Sequence, residues 1–232
     1  MQAVKTILSD FTYLVFPDCC SGCEEPLVSG EELICTKCRT MLPISTSIYE
    51  RENSLWRKFR NRADFYQVFA LLKYTKSGIV QHLMQSFKYK KEKEIGELLG
   101  KIMAEELSKT SFIKPDVIVP VPIHPKKLKI RGYNQAAVFG ESLSKSLEIG
   151  FEEKGLNKIT FSKSQTIFKR KERWNNTEGI FELSNGNLFE NKHIAIADDI
   201  ITTGATVESL ALEIQKANPK SISVLAIAEA VN

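Results

Sequence analysis

The sequence predicts an α/β protein with a mainly parallel sheet, helices on both of its faces, and a small four-cysteine module in front of it. Three observations lead there. Short apolar runs rich in Val, Ile and Ala recur at 116–122, 193–197 and 221–228, the pattern of strands buried on both faces. Stretches of helical periodicity at 78–107, 134–147 and 207–217 alternate with them, and such alternation builds parallel sheets through helical crossovers. All five cysteines, finally, fall between Cys19 and Cys38.

Residues 1–15 set Val4, Ile7, Leu8, Phe11, Leu14 and Val15 at helical spacing around Lys5 and Asp10, which predicts an amphipathic helix packed on the protein rather than a secretory signal. Residues 16–43 hold the cysteines, and the polar run 44–65 reads as a linker or loop into the main domain, 66–232. That domain opens with a strand near Phe65 to Tyr74. Two helices then span Gly78 to Leu107, joined at the lysine-dense Phe87-Lys88-Tyr89-Lys90-Lys91. A buried strand at Asp116–Pro122 ends in prolines, and Asn134 caps a helix reaching Leu147. After a charge-rich stretch come the strand His193–Ala197, a helix over 207–217 and a closing strand from Ser221.

With 232 residues, 43% hydrophobic and 26% charged, the chain can bury one full core with a satellite, which excludes whole-chain disorder. No uncharged apolar stretch approaches the ~20 residues of a bilayer helix, so membrane insertion is not expected and a cytoplasmic location is. The net charge of +4 is unevenly spread. Residues 51–110 carry thirteen basic and seven acidic groups and 111–190 thirteen and nine, whereas the two ends are acidic. A basic middle suits a phosphate-bearing ligand or nucleic acid, although most lysines simply solvate a surface.

Cys20-Ser21-Gly22-Cys23 and Cys35-Thr36-Lys37-Cys38 form two C-x2-C pairs eleven residues apart. Each pair can grip one ion from a tight turn, and together Cys20, Cys23, Cys35 and Cys38 supply the four ligands of a closed structural Zn2+ site, with free buried thiols as the alternative. Cys19 is the expected non-ligand. In 194–206, an apolar strand delivers Asp198 and Asp199 to its edge, and the next residues offer Thr202, Thr203, Gly204, Ala205 and Thr206 at a helix start. Carboxylates accept hydrogen bonds from sugar hydroxyls, while such a turn binds a monophosphate through its amides and the helix dipole. The pattern reads as a diol-plus-phosphate site.

These thirteen residues resemble the 5-phosphoribosyl-1-pyrophosphate (PRPP) signature of type I phosphoribosyltransferases. Val119-Pro120-Val121-Pro122-Ile123-His124-Pro125, followed by Arg131-Gly132-Tyr133-Asn134-Gln135-Ala136, is similar to the corresponding segment of the ComF family, and Gln165, Arg173, Asn176 and Gly179 to Phe181 stand at that family's spacing. The resemblance spans nearly the whole chain from Phe16. It implies a type I phosphoribosyltransferase-like fold with the N-terminal zinc module, PRPP bound with Mg2+, and phosphoribose transfer to an unidentified acceptor. In that reading Asp198 and Asp199 hold the ribose hydroxyls, Thr202 to Thr206 cradle the 5-phosphate, Ile200 is a further PRPP contact, and Val121, Pro122 and His124 face the pyrophosphate. The stretch 163–176 would be a shielding loop offering Gln165, Lys169, Arg170 and Arg173, with Lys88, Lys90, Lys127 and Arg131 as further phosphate or nucleic-acid contacts. Lys158 and Lys163 stand where the family has arginines, which keeps charge but loses the bidentate fork. The family also implies a link to DNA uptake in natural transformation, with single-stranded DNA and DNA-uptake proteins as partners. The competing class is a non-catalytic DNA-binding accessory protein that retains the PRPP pocket. Two readings stay open for His124, packed between prolines or touching ligand, and for Trp174, stacked on a base or anchored in a core.

Overall fold

The computed structural model describes residues 17–60, 62–159 and 179–231, so the helix expected at 1–15 and the loop at 163–176 lie outside the described residues. Among the described residues seven strands are formed: β1 (Val68–Tyr74), β2 (Val117–Pro120), β3 (Gly150–Phe151), β4 (Leu156–Lys158), β5 (Phe181–Leu183), β6 (His193–Ile201) and β7 (Ser221–Ala230). Five of them make a wholly parallel sheet in the order β1-β7-β6-β2-β3, and β4 pairs antiparallel with β5. The helices are α1 (Thr36–Thr40), α2 (Ser54–Arg57), α3 (Ile79–Gln85), α4 (Lys93–Leu107), α5 (Pro125–Arg131), α6 (Gln135–Leu147) and α7 (Ala205–Gln215).

Alternation along the strands divides the core between two faces. Phe69, Leu71, Ala195, Ala197, Leu225 and Ile227 pack with Leu83, Leu99, Phe139 and Leu143 of α3, α4 and α6. Val68, Ala70, Ile194, Ile196, Val224 and Ala226 meet Val207, Leu210 and Ile214 of α7 on the other side. Helices on both faces of a parallel sheet are therefore what the residue pattern builds.

Several elements differ from expectation, each for a physical reason. β6 continues past Ala197 to Ile201, because β7 goes on pairing with it, Asp198 opposite Ala226 and Ile200 opposite Ala228. The lysine-dense joint is a single π-helical turn, Ser86–Lys90, closed by Lys91 at φ 65°. α5 went unforeseen since none of its side chains is buried, which leaves no apolar stripe to signal it. The β4–β5 pair is too short to carry a pattern.

The described residues of the span 44–65 are well anchored. Asn53 is buried and its side-chain amide donates to the Ser47 and Val68 carbonyls at 2.8 Å each, while Leu55 and Phe59 enter the α7 side of the core. Residues 43–45 run along the outer border of β1, with Ser45 N–H donating to Leu71 O at 2.7 Å and Lys73 N–H to Pro43 O at 2.9 Å. Among the described residues, no helix is long and apolar enough to cross a membrane.

Close approach of α4 and α6 depends on glycine. A Cβ at Gly100 would lie 2.7 Å from Ser142 Cβ and 3.0 Å from the Leu143 backbone nitrogen. Gly100→Val is expected to destabilise the protein by about 2 kcal/mol through overpacking, read as a lower urea midpoint at an unchanged m-value.

Candidate functional site

The carboxyl ends of β2 and β6 form a switch point. The chain leaves β2 toward α6 on one face and leaves β6 toward α7 on the other, the arrangement in which a parallel sheet opens a crevice. Pairing of β2 with β6 ends at Pro120 opposite Ala197, so Asp198 and its successors keep β7 on one side and a cleft of about 390 Å³ on the other.

Asp198 is buried and Asp199 half-buried. Burial, and then the charge of Asp199 beside it, push the Asp198 carboxyl up to about 7, against the pull of the Asp199 N–H, Lys88 and Lys158. One Asp198 oxygen accepts the Asp199 N–H at 2.8 Å, and one Asp199 oxygen accepts the Ile200 N–H at 2.6 Å. The other Asp199 oxygen pairs with the Lys88 ammonium at 2.7 Å. Lys88 reaches it from the π turn, whose Phe87 carbonyl accepts the Tyr133 hydroxyl. Beyond β6 the chain bends through Thr202 and Thr203 into Gly204, at φ +78°, which starts α7. A Cβ at Gly204 would lie 2.3 Å from the Phe59 ring, so conformation and space both demand glycine there.

Basic groups share the same cleft. Lys127 and Arg131 come from α5, and Arg131 Nη1 donates to Gln135 Oε1 at 2.8 Å. Lys158 sits over the Phe181 ring at 5.1 Å; burial first, then Lys127, holds its ammonium below the usual lysine range, while Asp198 and Asp199 oppose that shift. His124 lines the cleft too, and its Nδ1 accepts the Lys126 N–H at 3.2 Å as the cap of α5.

Away from the cleft, Cys20, Cys23, Cys35 and Cys38 bring their sulfurs within 4.8 Å of one another, and Cys23 Sγ lies 3.8 Å from Cys35 Sγ. Tetrahedral zinc with bonds of about 2.3 Å sets its sulfurs roughly 3.8 Å apart, so the four residues fit that ion. Cys20 Sγ accepts N–H groups from Cys35 at 3.2 Å and Gly22 at 3.4 Å. Burial pushes the Cys20 thiol up, but the N–H groups of Cys35, Cys23 and Gly22 outweigh it and bring it down to about 7. Cys38, buried and crowded by the other three sulfurs, is pushed up instead. Cys19 is exposed and stands apart from the cluster.

The phosphoribosyl transferase domain family matches residues 88–230 of this chain, well over half its length. Competence protein F of Haemophilus influenzae is 29% identical over 153 residues, covering 64% of this chain and 67% of that protein. The DNA utilization protein YhgH of Escherichia coli is 24% identical over 219 residues, covering 85% and 91%. This chain belongs to the phosphoribosyl transferase domain family, in its ComF branch. A solved glutamine PRPP amidotransferase from B. subtilis, 17% identical, covers 62% of the ComF chain and 30% of its own, with a TM-score of 0.42.

In this ComF chain the cleft brings together Asp198, Asp199, Ile200, Thr202 and Thr206 with Val121, Pro122 and His124. It also takes in Lys88, Lys127 and Arg131. Thr203, Gly204 and Ala205 shape the turn without lining the cleft, and Lys90 points elsewhere, to Glu24 of the cysteine module at 3.6 Å. Gln165, Lys169, Arg170, Arg173 and Trp174 lie outside the described residues. Sequence reasoning passed over Lys158, noted only as a replaced arginine, and Gln135, noted only within its motif. Arg131 ends α5 and Gln135 opens α6, so no single periodic element signalled the pair in the sequence.

Two outcomes are expected. The folded chain keeps a proton on Asp198 that the unfolded chain loses near pH 4, so this group's stabilisation is fully present below about pH 4 and is lost as pH rises toward about 7. Asp198→Asn should therefore flatten the fall in melting temperature between pH 5 and 8, followed by calorimetry. Elemental analysis should return one zinc per chain, and a strong chelator should lower the melting temperature.

Proposed function

We propose that this ComF protein binds PRPP with Mg2+ in the β2/β6 cleft and transfers phosphoribose to a nitrogenous acceptor, in a cytoplasmic role tied to DNA uptake. The observation that carries this reading is the pairing, in one cleft, of an acidic doublet and a hydroxyl-bearing helix start with Lys127, Arg131 and Lys158. A pentose with two free hydroxyls, a monophosphate and a pyrophosphate presents the complementary groups in one molecule.

The turn before α7 would hold the 5-phosphate through backbone N–H groups and the Thr202 and Thr206 hydroxyls. Asp198 and Asp199 would accept or share hydrogens with the ribose 2- and 3-hydroxyls, and the Asp199 carboxylate favours the cationic sugar ring that develops as the C1–O bond lengthens. Lys88 neutralises Asp199 in the free chain, which eases the approach of a polyanion to two carboxylates. Lys127, Arg131 and Lys158 would receive the departing pyrophosphate beside the Val121–His124 turn. Mg2+, when bound with the ligand, neutralises pyrophosphate charge; the side chains suited to it are Asp198 and Asp199. Positioning and charge stabilisation suffice for this chemistry, with no covalent nucleophile.

A second reading, a DNA-binding accessory protein that keeps the pocket, draws on Tyr89. That residue is 69% exposed and is flanked in sequence by Lys88, Lys90 and Lys91, a setting suited to stacking on a single-stranded base. The names of the two relatives, a competence protein and a DNA utilization protein, agree with a role in handling DNA.

Calorimetry with PRPP and Mg2+ separates the readings. The wild-type chain should bind PRPP, and Asp198→Ala with Asp199→Ala should abolish binding; undiminished binding would remove the proposal. Pyrophosphate release in the presence of bases or single-stranded DNA marks transfer. Binding of DNA that weakens steeply with salt, without pyrophosphate release, supports the accessory role.

A further inference from the structure

We infer that Arg62, which lies before the residues matched by the transferase domain, is a positioning residue for the 5-phosphate turn; the inference rests on the PRPP reading above. A turn binds phosphate only if its amides face the ligand. The peptide unit is planar and trans, so its carbonyl and its N–H point in opposite directions. Arg62 Nη1 donates to the Thr203 carbonyl at 2.7 Å, drawing that oxygen toward Arg62 and the Phe59 ring packed against Gly204. The Gly204 N–H of the same unit is thereby turned the other way.

The second guanidinium nitrogen fixes the far side of the bend. Arg62 Nη2 pairs with Glu208 in the first turn of α7, and the Glu208 N–H donates to the Gly204 carbonyl at 3.0 Å. Phe59 closes the space beneath. Its ring occupies the place a Gly204 side chain would need, is itself buried, and is braced edge-on by Phe65 at 5.1 Å. Arg62 does not line the cleft, so it acts on the ligand only through the peptide it orients. Arg62 and Glu208 are both partly exposed, at 30% and 15%, and neither belongs to the apolar core, so replacing Arg62 should leave the fold intact.

The test compares ribose 5-phosphate with inorganic pyrophosphate plus Mg2+, both by calorimetry, on full-length wild type, Arg62→Met and Arg62→Gln. Arg62→Met should weaken ribose 5-phosphate by roughly tenfold, the size expected for one hydrogen bond to a charged donor, and leave pyrophosphate affinity and melting temperature nearly unchanged. Arg62→Gln keeps an N–H for the Thr203 carbonyl without the charge and should recover part of the loss. If Arg62→Met binds ribose 5-phosphate like wild type, weakens both ligands equally, or is matched by Arg62→Gln in its loss, the positioning role is overturned. A wild-type chain that binds neither PRPP nor ribose 5-phosphate overturns the PRPP reading itself, and this inference with it.

Discussion

Two adjacent carboxylates at the end of a buried strand repel each other and resist leaving water, and the surroundings of β6 answer both costs. Burial and its neighbour's charge push the Asp198 carboxyl up to about 7, while Asp199 is paired with the Lys88 ammonium. Backbone N–H groups from the strand itself take one oxygen of each acid. Free of such compensation, the pair would drive the strand end apart. With it, an acidic doublet is held open to a cleft that also collects basic side chains.

Lys88 makes this local balance depend on distant parts of the chain. It stands on a π turn, a form that inserts an extra residue per turn and so re-aims the side chains beyond it. Tyr133 ties that turn to the chain after α5 through the Phe87 carbonyl. From the other side, Ser21 between Cys20 and Cys23 donates to Glu92 at 2.6 Å, and Glu24 pairs with Lys90. Cys20 and Cys38 also belong to the same apolar core as Leu83, Phe87 and Leu99. The cysteine module therefore braces the segment that carries Lys88.

Much of this was legible in the residues. Apolar runs and periodic stretches carried the sheet and its two helical layers, because burial on both faces leaves a signal that needs no tertiary knowledge. The acidic doublet and its turn were legible since few other uses combine two acids, three threonines and a glycine at a helix start. The cysteine pairs were legible by spacing. What escaped was whatever depends on contacts across the chain. Phe59 and Arg62 sit in a run of polar and basic residues with no periodicity, and only the fold brings them beneath Gly204. α5 escaped for the opposite reason, being a helix that buries nothing.

Residues 43–45 sit against the outer rim of β1, where Ile44 forms a bridge to Leu72. An exposed rim would offer unpaired amides and carbonyls to any passing extended polypeptide. Here that border is already occupied by the protein's own chain at the level of Leu71 to Lys73, so strand-to-strand recruitment of a second molecule finds no template at this position.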